Sequence, residues 1–424
     1  MLKVISLFSG AGGLDLGFIL SGFKVVWSND ISPSAVESYS KNLERNAVLG
    51  DVEEIDCSDI PNGDVVVGGF PCQDFSVLGG SRRQGILVKR GQLYKQFLRI
   101  VKEKQPLAFV AENVKGILSA NKGLALKLIV RDFQHLEDVE LEKLDELYSE
   151  ESFEEMSNGS MFSFQNNETA RKSAFYRIKV IRINFADYGI PQKRERVIII
   201  GIKNSRGFCE FKLPEPIVEP SMYVSAGDVF EGKVLYGKHV SEIEQNNELL
   251  KISKKTADML SAIPPGGNYL DLPEYLKVRG LMSSIYRRLE KDKPAYTVIA
   301  NGGGGTWGYH YEFPRPLTNR ERARLQTFPD WYIFSGSTGE VRTQIGNAVP
   351  PLGAIPLAFE IKRVLSGREE SLKDEYYLEY EDFVAKLKEF KSGNTYAKPL
   401  YRPLEKKPAY LNQEQVKGTR KYSL

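Results

Sequence analysis

The stretch VISLFSGAGGLDLGF (Val4–Phe18) opens on an apolar, β-branched run and passes at Phe8 into a loop with glycines at 10, 12 and 13. A short strand that ends in a glycine-rich turn is the first unit of an open α/β sheet, in which ligands bind outside the carboxyl ends of the strands. Glycine lets the backbone approach such a ligand closely. Further short apolar runs follow at Val25–Ser28, Val65–Val67, Ala108–Ala111, Lys179–Asn184 and Val197–Gly201, with helical stretches such as Pro33–Asn46 and Gln92–Glu103 between them. Strands of this texture are buried on both faces, and their alternation with helices predicts an α/β fold: a Rossmann-like, doubly wound, mostly parallel sheet.

The glycines half-match the GxGxxG dinucleotide fingerprint, because Asp15 stands where the third glycine would be. Asp30, 20 residues after Gly10, ends the second strand and can accept hydrogen bonds from a ribose. Asp51 ends a third turn and can take an adenine amino group. No lysine follows the glycines, so the loop is not a P-loop. The set suits an adenosine without phosphates, and S-adenosyl-L-methionine is one. The plainer alternative is a set of glycines that only shapes a turn.

Bulk properties narrow the class. The chain has 424 residues, and no apolar run reaches the length of a membrane span. Its start carries no signal-peptide pattern. Cysteines at 57, 72 and 209 form no CxxC pair, and with three histidines a metal site is not expected. A reducing, cytoplasmic setting fits this usage. The net charge of +3 hides a split: residues 137–155 hold ten acidic residues and one lysine, so the remainder is basic. A basic remainder is compatible with a polyanionic partner, and equally with ordinary surface charge.

From about Asn204 prolines, glycines and mixed polar residues dominate, which predicts a second, irregular domain. Glu360–Leu365 closes a last helix. The tail is acidic at first and turns basic from Lys391 to Leu424, with eight Lys/Arg and two Glu. A weakly ordered or docking extension is expected there.

Three stretches bear on chemistry. GGFPCQDFS (Gly68–Ser76) places Cys72 at the mouth of a loop after the run DVVVG. AENV puts Glu112 at a strand's carboxyl end, facing the ligand crevice of this fold. DYGIPQKRERV brings Arg194 and Arg196 to the start of a strand. With SLFSGAGG (Ser6–Gly13), RERARLQTFPD (Arg320–Asp330) and GNAVPP (Gly346–Pro351), these closely resemble the bacterial-type DNA (cytosine-5)-methyltransferases, in the family's order and over roughly residues 3–365.

The resemblance implies a catalytic and cofactor-binding domain of residues 1–203 plus 346–366, with an acidic insertion at about 119–175. It implies a target-recognition domain and hinge over 204–345, leaving 367–424 as a C-terminal extension. It gives Cys72 the role of nucleophile toward carbon 6 of cytosine, and Glu112 that of holding or protonating ring nitrogen 3. Arg196 neutralises charge near the base, and Arg194 supports the site or the DNA backbone. For S-adenosyl-L-methionine, Phe8 stacks on adenine and Ser9, Gly10, Ala11, Gly12 and Gly13 bind the methionine part. Asp30 with its neighbour Ile31 serves the ribose, and Asp51 the adenine edge. Pro71, Leu93, Asn347 and Ala348 complete the cofactor set. Many members have aspartate at position 6 and an aromatic at position 31, where this chain has Ser6 and Ile31.

The implied partner is duplex DNA, read as a short sequence by a monomer. A cognate restriction endonuclease sharing the site is possible, without direct binding. Tyr286, Arg287, Arg288, Trp307 and Tyr309 are candidates to enter the major groove. The arginines of RERAR are expected to be mainly structural. The competing functions are an RNA cytosine-5 methyltransferase and a non-catalytic DNA-binding relative.

Overall fold

In the run Val65–Val66–Val67 alternate side chains go to opposite faces of the sheet, as the period of a strand requires. Val65 and Val67 join one apolar cluster and Val66 the other. Each such side chain, fully buried, contributes about 1.5–3 kcal/mol, which is why the sheet sits at the centre of the molecule. A computed structural model of the chain describes residues 1–43, 47–70, 92–139, 175–205, 209–213, 218–277, 286–300 and 307–367. Residues 382, 385–387, 389, 407 and 408 of the tail are also described.

The main sheet has seven strands: β1 (Lys3–Leu7), β2 (Lys24–Asp30), β3 (Val48–Leu49), β4 (Val65–Gly68), β5 (Ala108–Val114), β6 (Tyr176–Asn184) and, after the two-residue β7 (Gln192–Lys193), β8 (Glu195–Lys203). Their order is β3-β2-β1-β4-β5-β8-β6. The first five are parallel, and β8 runs antiparallel to both β5 and β6. The predicted doubly wound, mostly parallel sheet is therefore present. Each expected strand is found, with ends displaced by a few residues.

Helices α1 (Gly13–Leu20) and α2 (Pro33–Leu43) lie on one side of the sheet, and α3 (Gln92–Lys104) and α4 (Leu124–Gln134) on the other. Helix α4 buries Leu128, Ile129 and Phe133. The segment expected as a surface insertion from about 119 thus begins with a core-packed helix. The rest of the acidic block, from residue 140, lies outside the described residues.

Beyond β8 come α5 (Ala226–Phe230), α6 (Lys254–Ala262) and the short strands β9 (Arg287–Arg288), β10 (Ala295–Tyr296) and β11 (Trp307–Tyr309). Helices α7 (Asn319–Leu325), α8 (Thr338–Asn347) and α9 (Pro351–Leu365) follow. Helix α9 returns to pack on α1. One apolar cluster runs from Val4 and Leu16 through Val229 and Leu317 to Ile355, joining the first and second parts of the chain. In the tail, Leu387 is fully buried and Lys407 lies over the Trp331 ring. At these residues the extension docks.

Asp15, at the missing third-glycine position, is completely buried. The hydroxyls of Ser6 and Tyr39 each donate to its carboxylate at 2.6 Å. Ser6 is thus a donor to a buried carboxylate rather than a carboxylate itself. Burial pushes the Asp15 pKa up to about 6, although both hydrogen bonds pull it down. A raised carboxyl pKa means that the folded chain binds a proton more tightly than the unfolded one. The associated stability is complete below about pH 4 and is lost as pH rises through 6. Denaturant titrations between pH 4 and 8 should therefore show the parent losing on the order of 2–3 kcal/mol over this window, and Asp15→Asn much less.

Candidate active site

A cavity of about 1460 Å³ opens at the carboxyl ends of β1, β2, β4 and β5. Its first wall is the Phe8–Gly13 loop. Phe8 has φ 54°, a left-handed conformation rare for a bulky residue, and it lines the cavity. Strain of this kind concentrates at functional sites, yet nothing in a sequence marks it. The Gly10 N–H donates to Asp30 Oδ2 at 2.7 Å and the Ser32 N–H to Asp30 Oδ1 at 2.9 Å. Asp30 thus closes the loop against the end of β2. Burial raises its pKa, and the backbone hydrogen bonds offset part of the rise.

Ser9, Gly10, Ala11 and Gly13 line the cavity, as do Asp30, Ile31, Asp51, Leu93, Asn347 and Ala348. Ile31, where an aromatic was noted as missing, is 67 % exposed at the mouth. Asp51 also caps a short helical turn, accepting from the Glu53 N–H. Gly13 must be glycine because a Cβ there would sit 2.4 Å from the Val349 carbonyl oxygen. Gly12 departs from expectation. It is not on the cavity wall, and a Cβ there would meet Leu43 Cδ1 at 2.7 Å. Its small size serves the packing of α2 behind the loop. Among the described residues no lysine lines the cavity, as suits a nucleoside without phosphates.

The other end of the cavity holds Glu112 and Arg196. Arg196 Nε stands 2.7 Å from Glu112 Oε1, and both side chains are about nine-tenths buried. The oxygen has no well-aligned hydrogen bond, so charge rather than a directed bond holds the pair. The pairing follows from register: antiparallel β5 and β8 set Val114 opposite Arg196 and Glu112 opposite Ile198. Next to Glu112, Asn113 Nδ2 donates to the Phe70 carbonyl at 3.0 Å. This ties β5 to the chain leaving β4, two residues before Cys72. Pro71 and Cys72 themselves lie outside the described residues.

Arg194 also lines the cavity but is 1 % exposed. Its guanidinium donates to the carbonyls of Val298, at 2.9 Å, and Gly346, at 3.1 Å. Burial lowers its pKa to about 9, Arg196 adds to the fall, and Glu112 opposes it. Arg194 therefore stays charged at neutral pH and pins two later segments behind the ion pair. A reach to the DNA backbone does not fit this burial.

Gln192 was not singled out from sequence. It is fully buried, donating to the Leu325 carbonyl and to Gln326 Oε1 and accepting from the Val298 N–H. Its presence in the QKRERV stretch was the available signal. Arg320, Arg322 and Arg324 are at most 1 % exposed. Arg320 grips the carbonyls of Gln245, Pro329 and Tyr332, and Arg324 those of Val229 and Lys238 as well as the Asp330 carboxylate. Their role is structural, as expected.

Two groove candidates are corrected. Arg288 is 6 % exposed and spends its guanidinium on the carbonyls of Leu260, Ile263, His310 and Tyr311. Tyr309 is 1 % exposed, with Tyr286 stacked on it at 6.0 Å. Both belong to the interior. Arg287 lies 3.9 Å above the Tyr296 ring.

Sheet order and cavity together define an α/β protein of the methyltransferase class. A model of the C-5 cytosine-specific DNA methylase family matches residues 2–138 and 160–363. The chain belongs to that family and is a DNA (cytosine-5-)-methyltransferase. It is 42% identical over 402 residues to the type II methyltransferase M.NgoFVII of Neisseria gonorrhoeae, covering 91% of this chain and 95% of that one. It is 34% identical to the DNA (cytosine-5-)-methyltransferase M.ApeKI of Aeropyrum pernix, covering 86% and 98%. Among solved structures, a candidate DNA modification methyltransferase encoded within an E. coli prophage matches with a TM-score of 0.58 at 23% identity, covering 86% of this chain and 99% of that one. No helix among the described residues is long and apolar enough to cross a membrane.

Proposed function

We propose that the chain methylates carbon 5 of a cytosine swung out of a short duplex sequence, with S-adenosyl-L-methionine as methyl donor, as the modification enzyme of a restriction–modification system. The observation that carries this reading is one cavity with two chemically distinct ends. Its volume of about 1460 Å³ exceeds the ~300–1,000 Å³ usual for a single small ligand. The end formed by Phe8, Asp30 and Asp51 suits an adenosine, and the end formed by Glu112 and Arg196 suits a base. The type II relatives favour the restriction–modification setting.

When bound, the cofactor supplies an electrophilic methyl group to carbon 5. The chain makes that carbon nucleophilic. The Cys72 thiolate forms a bond to carbon 6, and the electron pair of the 5,6 double bond shifts to carbon 5 and on toward ring nitrogen 3. Glu112 passes a proton to ring nitrogen 3 as negative charge builds there, and Arg196 balances the carboxylate that remains. Carbon 5 then gives up its proton to solvent, and the electron pair left behind re-forms the 5,6 double bond and expels the thiolate. A free thiol of pKa ~8.5 is only a few per cent ionised at pH 7, so the residues around Cys72 must lower that value or take the proton as attack occurs. Unstacking the base costs a few kcal/mol, which contacts from the basic parts of the chain offset.

Bisulfite sequencing of DNA from cells expressing the protein tests the reading. Protected cytosines confined to one short sequence are the expected result, and their absence from every context would refute it. Asp30→Ala removes both the ribose acceptor and the tie to Gly10. It should raise KM for the cofactor by about tenfold or more, with a smaller effect on KM for DNA, as titrations of each substrate will register.

A further inference from the structure

Residues Tyr332–Ser335 belong to no helix or strand, and most of their main-chain groups are held by side chains, while the Tyr332 N–H donates to the Pro329 carbonyl at 3.0 Å. Arg320 Nη2 donates to the Tyr332 carbonyl at 2.7 Å. Asn42, on α2, clasps Ile333 in both directions: Nδ2 donates to its carbonyl at 2.7 Å, and Oδ1 accepts from its N–H at 2.8 Å. Asn246 does the same to Phe334 from the opposite part of the chain, at 3.0 and 2.9 Å. Ser38 and Gln344 complete the set on Ser335, at 2.8 Å each. At the head of the segment the buried Tyr332 hydroxyl donates to the carbonyl of Ala11, in the middle of the cofactor loop.

Asn246 is itself specialised. It has φ 58°, a left-handed conformation that asparagine tolerates better than most residues. Its own carbonyl accepts from the Arg320 N–H at 2.8 Å. Thr318 Oγ1 donates to the next residue, Asn247, at 2.6 Å. The strap carrying Asn246 is therefore fixed to α7, and α2 is fixed to the sheet. The segment between them has little freedom to move. Neither asparagine lines the cavity, and neither does Tyr332.

We infer that Asn42 and Asn246 are positioning residues for the methyl donor: through Ile333 and Phe334 they hold Tyr332 where its hydroxyl fixes the Ala11 carbonyl, and so set the shape of the cofactor loop. The inference rests on the reading of that loop as the S-adenosylmethionine site. A burial of polar backbone on this scale needs partners from somewhere. Here the partners come from both halves of the chain, so the strap that precedes the recognition elements bears directly on the loop that binds the donor.

The test uses the full-length chain without DNA and S-adenosylmethionine as the calorimetric probe. Asn246→Gly keeps the left-handed backbone at ease and removes only the clasp. It should raise the Kd for S-adenosylmethionine by about tenfold, with kcat at saturating cofactor within about twofold of the parent. Asn246→Asp keeps shape and acceptor and should recover part of the loss. Tyr332→Phe removes only the hydroxyl on Ala11 and should shift the same Kd in the same direction. Unchanged cofactor affinity in Asn246→Gly and Tyr332→Phe, with only a lower Tm, would overturn the inference, as would a loss confined to DNA affinity. A parent chain that binds no S-adenosylmethionine would instead overturn the cofactor reading on which the inference stands.

Discussion

Cys72→Ala is expected to bring methyl transfer below detection, a loss on the order of 10⁴-fold or more, because it removes the atom proposed to form the bond to the base. The substitution is small and alters neither the Glu112–Arg196 pair nor the sequence of the Phe8–Gly13 loop. Cofactor and DNA affinities should therefore stay within a few-fold of the parent. Single-turnover transfer from a radiolabelled donor measures the chemical step. A duplex carrying 5-fluorocytosine in the protected sequence provides a second readout. Fluorine at carbon 5 blocks proton loss, so the sulfur–carbon 6 bond cannot be eliminated. The parent should form an adduct that survives denaturation, and Cys72→Ala should form none. Substantial transfer by the variant would remove Cys72 from the mechanism.

The second large effect is expected from Glu112→Gln. Glutamine preserves the shape at the end of β5 but carries no charge and cannot deliver a proton to ring nitrogen 3. It also leaves Arg196, about nine-tenths buried, without its counter-ion at 2.7 Å. A positioned acid or base contributes about 10²–10⁴-fold, so kcat should fall by that factor while DNA affinity changes little. A change in KM alone, or a fall in kcat of less than about tenfold, would limit Glu112 to binding.

Much of the architecture could be read from the chain because buried parallel strands are short, apolar and separated by helices. The runs at Val4, Val25, Val65, Ala108, Lys179 and Val197 all became strands of one sheet. The cavity end formed by Ser9–Ala11, Asp30 and Asp51 was likewise legible, because its residues follow strand ends, where this fold puts its ligands. What sequence could not supply was orientation. Gly12 and Gly13 are adjacent and identical, yet one faces α2 and the other the cavity wall. Arg287 and Arg288 are neighbours, yet Arg288 disappears into four carbonyl contacts. Burial decides such cases, and it depends on elements far away in the chain. The left-handed backbone at Phe8 and the paired asparagines at 42 and 246 were invisible for the same reason. Each has a role only through partners distant in sequence.

The grip of Arg320 and Arg324 on main-chain oxygens has an evolutionary corollary. Every residue type offers a carbonyl, so Gln245, Val229 and Lys238 can each be exchanged without dissolving the joint that α7 makes with them. A mount that ignores the identity of what it holds lets the segments it carries change in sequence while the joint itself is kept.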